Sequence, residues 1–468
     1  MSSTARRPLT IAAMAASVAL LAACAGTGGD STTPGTNGTN GTDTGTQTGT
    51  DTTAPEPTDD GTDTGDGTDA GAGGSVDSLT FWSNHPGGSK DVEEQLIAAY
   101  EAETGISINL VTAGSNYEEV ANRFNAAQAG SDVPDIVVAS DVTWFPMMLN
   151  GAIAPMDELW SSQDVDSDGY VDALREDYHY DGQHFAMPYA RSTPLFYYNK
   201  DMWEAAGLPD RGPETWEEFA EWAPQLKEAN NDLPPLTIPD GTNYLDWYFQ
   251  GMIWTFGGSY SNEFEPTFTD AGSIEAGEFL QQQVQDGMFV IATDPNSDFA
   301  AGQAAALLQS TGSLGGLTES ATFDFGTAFL PGPAPGVTTG GAGLAISSNI
   351  PDERKQAAMD FVAWFTNTEN TVTFSQATGY VPVRKDAAET DSVQAYLEQN
   401  PNFKTALDQL PQTQSQDYAR VFVPGGGARI GAALDRITTG NQDVTTVFEE
   451  LQNETQTGIP SDVLPELD

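Results

Sequence analysis

The feature that most constrains the fold is an alternation of strand and helix patterns between residues 79 and 138. Apolar residues from Leu79 to Trp82 and from Asp135 to Val138 form strand patterns, and Ile106 to Leu110 alternates as a third strand. Apolar residues at helical spacing lie between these strands, and Gly105 is placed to end the first helix. This order predicts an α/β fold with a parallel sheet and right-handed crossovers.

Polar side chains follow each of the three predicted strands. Asn84 follows the first strand, Tyr117 lies just beyond the second, and Asp141 follows the third. Ligands of open α/β sheets bind beyond the carboxyl ends of the strands. A binding site is therefore expected where these three segments meet.

The chain begins with the pattern of an export signal. Arg6 and Arg7 precede an apolar run from Leu9 to Leu21, which ends in small residues before Cys24, the only cysteine in the chain. This junction resembles a bacterial lipobox, which implies cleavage before Cys24 and acylation of its thiol. We expect residues 1–23 to be a lipoprotein signal peptide and the mature protein to be lipid-anchored at the extracellular face of the bacterial cytoplasmic membrane.

Residues 24–76 are predicted to form the anchor and a disordered tether. This tract is rich in Thr, Gly and Asp, and it lacks the apolar side chains that would offset the entropy of ordering. Glycine makes such a segment flexible, and its like charges extend it. Its expected role is to hold the folded part away from the membrane.

Composition limits the partners of the protein. Acidic residues number 68 against 17 basic ones in a chain of 468 residues. This balance argues against nucleic acid as a partner, because binding to its phosphate backbone requires clustered Lys and Arg. It also argues against attachment to anionic lipid through a polybasic segment. The part after the tether is long enough for two lobes.

Several segments of the folded part together resemble the extracellular solute-binding proteins of ABC importers, a family that includes the maltose-binding type. The segments are Phe81-Trp82, Pro134 to Val137, Met187 to Tyr189, Ser192 to Lys200, Glu214 to Phe219, Ser310 to Leu314, Gly340 to Leu344 and Thr378 to Val383. The resemblance implies an α/β two-lobe periplasmic-binding-protein fold with a ligand cleft between hinged lobes. The expected lobes are 77–188 with 340–380 and 189–339 with 381–468.

Within that family the strongest resemblance is to the sn-glycerol-3-phosphate-binding proteins. It is carried by Gly114 to Glu119, Arg191 to Pro194, Ser310 to Leu314, Thr378 to Tyr380 and Gly427 to Gly431. The resemblance implies that glycerol hydroxyls meet Asp141. It also implies a phosphate shell formed by Tyr117, Ser192, Ser313, the Gly341 backbone, Tyr380 and Arg429.

The residue types agree with such a ligand, and each has an alternative role. Arg429 offers a planar bidentate donor for phosphate, although a single arginine can equally anchor a loop through a carboxylate. Tyr117 and Tyr380 can bind ligand or pack with satisfied hydroxyls, and Trp247 and Trp254 can line the cleft or fill the core. The stretch before Trp247 lacks the stacking tryptophan of the family, which leaves room for a glycerophosphodiester or a sugar.

One segment departs from the family pattern and resembles the first nine positions of a calcium loop. Its candidate ligands are Asp164, Asp166, Asp168, Tyr170 and Asp172. The closing position holds Arg175 instead of a bidentate Glu. A structural calcium ion and an acidic surface turn both fit this pattern, and no other cofactor is expected.

No catalytic constellation stands out in the sequence. We therefore expect a non-enzymatic, monomeric binding component of an ABC importer that captures sn-glycerol 3-phosphate or a glycerophosphodiester and hands it to permease subunits. An oligosaccharide-binding protein of an importer is the first alternative. A surface enzyme or a calcium-dependent adhesion module is the second.

Overall fold

The computed structural model describes residues 76–130, 132–333 and 336–461. The predicted signal peptide, Cys24 and the tether up to residue 75 lie outside the described residues. Within the described ranges, no helix combines the length and apolar character needed to cross a bilayer.

The strands and helices of the described residues alternate through most of the chain. The strands are β1 Ser78–Ser83, β2 Ser107–Thr112, β3 Ile136–Ser140, β4 His179–Tyr180, β5 Gln183–His184, β6 Met187–Ser192, β7 Pro194–Asn199, β8 Leu236–Pro239, β9 Ser261–Asn262, β10 Glu265–Pro266, β11 Phe289–Ala292, β12 Ala306–Ser310, β13 Phe325–Ala328, β14 Val337–Thr338, β15 Gly340–Ile346 and β16 Thr413–Gln414. The α-helices are α1 Lys90–Thr104, α2 Tyr117–Ala127, α3 Trp144–Leu149, α4 Asp157–Ser162, α5 Asp172–Glu176, α6 Lys200–Ala205, α7 Trp216–Ala229, α8 Leu245–Thr255, α9 Ala271–Gln285, α10 Pro295–Ala300, α11 Leu314–Ser320, α12 Asp352–Phe365, α13 Thr368–Thr378, α14 Asp391–Gln399, α15 Pro401–Gln409, α16 Tyr418–Val421, α17 Gly426–Ile437 and α18 Val444–Gly458.

The first lobe is built on a five-stranded sheet in the order β2-β1-β3-β15-β6. β1 runs parallel to β2 and β3, whereas β15 runs antiparallel to β3 and β6. All five residues of β3 are buried, as expected for a strand covered on both faces. The predicted strand–helix–strand–helix–strand unit is therefore confirmed, and the antiparallel β15 extends it.

Local sequence signals explain where the first helices begin and end. Gly105 ends α1 in the left-handed conformation at φ 78°, which glycine adopts without steric cost. The Asn116 side chain caps α2 by accepting a hydrogen bond of 2.9 Å from the backbone N–H of Glu119. This cap fixes the position of Tyr117 at the first turn of α2.

The second lobe is built on another five-stranded sheet, in the order β11-β8-β12-β7-β13. The side chains of β7 are all buried, and this strand pairs antiparallel with β12 and β13. Buried aromatic and aliphatic residues of α7, α8, α17 and α18 complete the second core. The two sheets and their separate helical layers give the two-lobe architecture that the sequence predicts.

The chain passes from the first sheet to the second at Thr193. β6 stays in the first sheet through Ser192, and β7 opens in the second sheet at Pro194. The predicted lobe boundary after Pro188 falls inside β6, because Arg191 and Ser192 still pair with β15 of the first sheet. Ser192 therefore lies at a strand end that faces the junction of the lobes.

β4 and β5 form an antiparallel hairpin. Asp181 and Gly182 both adopt positive φ, at 49° and 73°. This is the backbone that a two-residue hairpin turn requires, and Asp-Gly is among the pairs that favour it.

Candidate ligand-binding site

A cavity of about 250 Å³ lies between the two sheets. Its walls come from widely separated parts of the chain: Asn84, Pro86, Gly87, Ser115, Asn116, Tyr117, Asp141, Ser192, Asn243, Tyr244, Trp247, Tyr248, Gln309, Ser310, Gly312, Ser313, Gly341, Tyr380 and Arg420. A small cavity of this kind with a few convergent polar groups is typical of a small-molecule site.

The first lobe contributes side chains from the carboxyl ends of its strands. Asn84 follows β1, Tyr117 starts the helix after β2, and Asp141 follows β3. All three segments therefore line this one cavity.

Seven of the nine ligand residues predicted from the sequence line this cavity. They are Tyr117, Asp141, Ser192, Trp247, Ser313, Gly341 and Tyr380. Gly341 has φ 100°, and a Cβ there would lie 2.1 Å from the backbone oxygen of Ala190, so only glycine fits this position.

Arg429, the predicted phosphate donor, lies away from the cavity. Its Nη2 donates to the backbone oxygen of Pro424 at 3.1 Å, and its guanidinium lies against Gly458 at the end of α18. On the same helix, Gly427 faces Asp246, next to the cavity wall. Arg429 is two residues after Gly427, and two residues correspond to a rotation of about 200° around an α-helix. Arg429 therefore points to the side of the helix opposite Gly427.

The arginine that lines the cavity is Arg420 on α16. It is buried, and its Nε donates to Asp246 at 2.7 Å while its Nη1 donates to Asp141 at 2.8 Å. Gln416 accepts from Nη1 and donates to Asp141 at 2.6 Å. Among the described residues, Nη2 has no hydrogen-bond partner, and Arg420 lines the cavity.

The sequence carries a signal for Arg420 that motif matching missed. Ala419 and Val421 flank it, and both are buried. A charged residue inside an apolar run is expected to be paired when it is buried. The acceptors Asp141 and Asp246 lie far from Arg420 in the chain, so only the fold brings them to it.

Charges around Arg420 are set by burial and by the ion pairs. Burial raises the pKa of Asp246 to about 6, and the charge of Arg420 offsets part of this increase. Burial alone would lower the pKa of Arg420, but Asp246 and Asp141 outweigh it and raise the pKa above its ordinary value. Arg420 is therefore protonated at every physiological pH.

Behind the cavity wall lies a second buried pair, Arg191 with Asp177. Arg191 is the β6 register partner of Gly341, and it also donates to the Tyr178 hydroxyl at 2.7 Å. Each charge of this pair is matched by the other, so the pair adds no net charge to the site.

Aromatic rings form a large part of the cavity wall. The Tyr117 and Tyr244 ring centroids are 6.2 Å apart, and those of Trp247 and Tyr248 are 5.0 Å apart. Burial raises the pKa of Tyr380 to about 12. The Tyr380 hydroxyl therefore stays protonated and can donate a hydrogen bond to a ligand.

Trp254, predicted as a second cleft tryptophan, does not line the cavity. Its Nε1 donates to Asp417 at 3.2 Å, and its ring packs against the core of the second lobe. It is on the same helix as Trp247, seven residues later, but it reaches a different part of the lobe, where a carboxylate satisfies its N–H.

Hydrogen bonds cross between the lobes on both sides of the cavity. On one side Arg420 and Gln416 hold Asp141, and on the other the Tyr244 hydroxyl donates to Glu118 at 3.2 Å. The lobes are therefore closed around the cavity in this structure.

The predicted calcium loop is not arranged as a metal site. Basic side chains occupy its carboxylates: Arg384 binds Asp166 at 2.8 Å, Arg175 binds Asp168 at 3.0 Å, and Lys385 binds Asp172 at 2.8 Å. Tyr170 is buried, with its hydroxyl on Thr366. Asp164 adopts positive φ in the same turn. In the part of the chain that the structure describes, no group of three or more His, Cys, Asp or Glu is placed to hold a metal.

A model of the family "bacterial extracellular solute-binding protein" matches residues 95–405. The chain belongs to this family. As a solute-binding protein it binds a small molecule outside the cytoplasm, and the resemblance inferred from the sequence is confirmed.

The relatives of this solute-binding protein include the sn-glycerol-3-phosphate-binding periplasmic proteins UgpB. Those of Pectobacterium atrosepticum and Escherichia coli K12 are each 26% identical over 385 residues, with 78% and 77% of this chain and 86% of each relative covered.

Solved structures confirm the fold. UgpB from Mycobacterium tuberculosis in complex with glycerophosphocholine has a TM-score of 0.79 and 46% identity, with 81% of this chain and 98% of that chain covered. The GacH receptor of Streptomyces glaucescens has a TM-score of 0.71 at 17% identity, with 82% and 99% covered. The maltose-binding type of two-lobe fold predicted from the sequence is therefore confirmed.

Proposed function

We propose that this solute-binding protein captures a glycerophosphodiester and delivers it unchanged to the permease of an ABC importer. The observation that carries the proposal is the buried Arg420, whose Nη2 is an unused donor at the wall of the cavity. A charge-assisted hydrogen bond from arginine to a phosphate oxygen is strong, and it is stronger inside a closed cleft than in water.

Neutral donors around Arg420 would complete the phosphate shell. The hydroxyls of Ser192, Ser313 and Tyr380 line the same cavity. Such neutral donors stabilise an anion without a second cation. Asp141 would take the glycerol hydroxyls, because an ionised carboxylate accepts several hydrogen bonds.

The charges of the site favour a phosphodiester over a phosphate monoester. Asp141 and Asp246 both bind Arg420, so the three groups together carry one net negative charge. A diester brings one further negative charge, whereas a monoester brings about 1.5 to 2 at pH 7. The monoester therefore meets more repulsion in the closed cleft.

The aromatic wall fits the rest of such a ligand. Ring faces of Trp247 and the neighbouring tyrosines can cover the apolar face of a glycerol unit or a quaternary ammonium group. The relatives support a ligand of this class, since the structure of one contains glycerophosphocholine and others are named for sn-glycerol 3-phosphate. The same wall would also suit a sugar, and an oligosaccharide remains the second candidate. An oligosaccharide would leave Nη2 of Arg420 without a charged partner.

We further propose that the protein acts as a lipid-anchored monomer. The lipobox-like junction at Cys24 and the acidic tract that follows it support an exported protein tethered to the outer face of the membrane. A tether of this composition gives reach toward a permease. No catalytic step is proposed, because Asp141 and Asp246 are both engaged by Arg420.

Isothermal titration calorimetry with glycerophosphocholine, glycerol 3-phosphate and maltose tests the proposal. We expect Arg420→Gln to weaken binding of the diester at least 100-fold, whereas the matched variant Arg429→Gln leaves it within twofold. Because Arg420 is buried in ion pairs, Arg420→Lys and a melting curve separate loss of binding from loss of fold. Diester affinity unchanged in a folded Arg420 variant, or tight binding of maltose alone, would overturn the proposal.

A further inference from the structure

Asn84 lines the ligand cavity, but it belongs neither to the phosphate shell nor to the ion-pair cluster of Arg420. Among the described residues, none forms a hydrogen bond with its side chain, and its Oδ1 is buried without a partner. Buried polar atoms of native proteins nearly always have a partner. An unpaired amide at the wall of a binding cavity therefore points to a group of the ligand.

Asn84 and Asp141 lie at the same edge of the first sheet. Asn84 directly follows β1, Asp141 directly follows β3, and these two strands are parallel neighbours. Neighbouring strands lie roughly 5 Å apart. The register of β1 and β3 places Asp141 two residues further along the sheet than Asn84, and both residues line the cavity. A short polyol segment bound at Asp141 is therefore close to Asn84.

The contacts of Asp141 leave part of a glycerol end without a partner. Its Oδ2 already accepts from Gln416 at 2.6 Å and from Nη1 of Arg420 at 2.8 Å. Oδ1 is left to receive one hydroxyl of the ligand. A glycerol end carries two hydroxyls, and the second also needs a hydrogen-bond partner when it leaves water.

The amide of Asn84 suits a hydroxyl better than it suits a phosphate oxygen. An amide has a donor end and an acceptor end, and a hydroxyl can pair with either of them. A phosphodiester oxygen only accepts, so it can pair with the N–H end alone. The hydroxyl is therefore the ligand group that matches Asn84 whichever end of the amide faces the cavity.

The backbone next to Asn84 is held in one geometry. His85 adopts φ 54°, which is uncommon for a residue with a side chain. Its backbone N–H donates to Oγ of Ser83 at 2.8 Å, and its ring contacts the buried Glu93 and, at 2.7 Å, Thr112. Backbone strain of this kind persists where the surrounding contacts over-determine it, often at ligand sites. These contacts fix the position of Asn84 at the cavity wall, although its own side chain has no partner in the described chain.

We propose that Asn84 is a specificity-determining residue that binds one glycerol hydroxyl of the ligand while Asp141 binds the other. The proposal rests on the proposed diester ligand, and it adds the residue that distinguishes a glycerol end from a chain that lacks a hydroxyl. Because Asn84 is neutral, it provides this selectivity without a further negative charge beside the phosphate.

Isothermal titration calorimetry with ligands that lack one hydroxyl tests this contact. The ligands are glycerophosphocholine, 3-hydroxypropyl phosphocholine, which lacks the central hydroxyl, and 2-hydroxypropyl phosphocholine, which lacks the terminal one. We expect Asn84→Ala to weaken glycerophosphocholine at least fivefold. The same variant should leave one of the two analogues within twofold of wild type, because that analogue already lacks the contact. The matched variant Asn122→Ala, at an exposed position on α2 outside the cavity lining, should bind all three ligands like wild type.

A melting curve separates loss of this contact from loss of the fold. Asn84→Ala should keep the wild-type melting temperature, because it removes no hydrogen bond within the described chain. Unchanged affinity for glycerophosphocholine in Asn84→Ala would overturn the proposal, and so would an equal loss of affinity for all three ligands. A wild type that binds none of the three would instead overturn the proposed function, and this contact with it.

Discussion

Replacement of Asp246 by asparagine should relax the discrimination between phosphodiesters and phosphate monoesters. Asp246 binds Nε of Arg420 at 2.7 Å but does not line the cavity, so its charge reaches a ligand only through space. Asparagine keeps the shape and one acceptor for Nε. The variant therefore removes one negative charge behind the arginine and leaves the lining of the cavity unchanged.

The magnitude follows from the geometry. A phosphate on Nη2 would lie roughly 7 Å from the Asp246 carboxylate, and at an effective dielectric constant of about 20 each unit of ligand charge is repelled by about 2 kcal/mol. The monoester carries about half to one extra charge at pH 7, which gives a difference of about 1–2 kcal/mol. Since about 1.4 kcal/mol is a tenfold change, the ratio of diester to monoester affinity should fall by about 5- to 30-fold in Asp246→Asn.

Calorimetry at pH 7.5 with the methyl diester of glycerol 3-phosphate and with glycerol 3-phosphate itself measures this ratio of affinities. A second measurement at pH 5 should narrow the gap in the wild type, since the monoester loses its second charge near pH 6 and the pKa of Asp246 is also raised to about 6. Loss of a buried charge lowers stability, so melting curves must show that the variant is folded at the assay temperature. The reasoning is refuted if a folded Asp246→Asn protein keeps the wild-type ratio.

Three further outcomes are expected. Burial raises the pKa of Asp417 to about 6, above that of a free carboxyl. Its contribution to the free energy of unfolding is therefore full below about pH 4 and is lost as the pH rises through 6. Urea titrations should show that Asp417→Asn flattens this pH dependence of stability, and an unchanged slope would contradict the prediction. Gly87→Ala should weaken diester binding at least tenfold, because its Cβ would meet the backbone oxygen of Gly312 at 2.6 Å. Gly88→Ala, also at positive φ but with no atom within 4 Å of its Cβ, should not weaken binding. Equal effects of the two variants in calorimetry would count against closure of the lobes where Gly87 meets Gly312. Calcium should not shift the melting temperature, because Arg175, Arg384 and Lys385 already form ion pairs with the carboxylates of the predicted calcium loop. A clear rise in melting temperature would instead support calcium binding at this loop.

Local sequence signals were sufficient for most of the fold. The three strands predicted between residues 79 and 138 are β1, β2 and β3, and Gly105 ends α1 as predicted. Each depends on short-range chemistry: apolar runs, glycines at positive φ and caps. The lobe boundary at Thr193 differs from the predicted one because long-range pairing decides which sheet a strand joins, and only one residue separates β6 from β7.

The two arginines show why the site was harder to predict than the fold. Arg429 stands in a glycine-rich motif that resembles the family, whereas Arg420 precedes that motif and has only its apolar neighbours as a signal. The orientation of Arg429 depends on the rotation of α17 against α8 and α18, which a linear motif does not encode. The cluster of Asp141, Asp246 and Arg420 joins residues from both lobes. The contacts of Arg420 are therefore visible in the folded, closed protein and not in its sequence. For this reason the comparison of Arg420→Gln with Arg429→Gln tests the closed geometry directly.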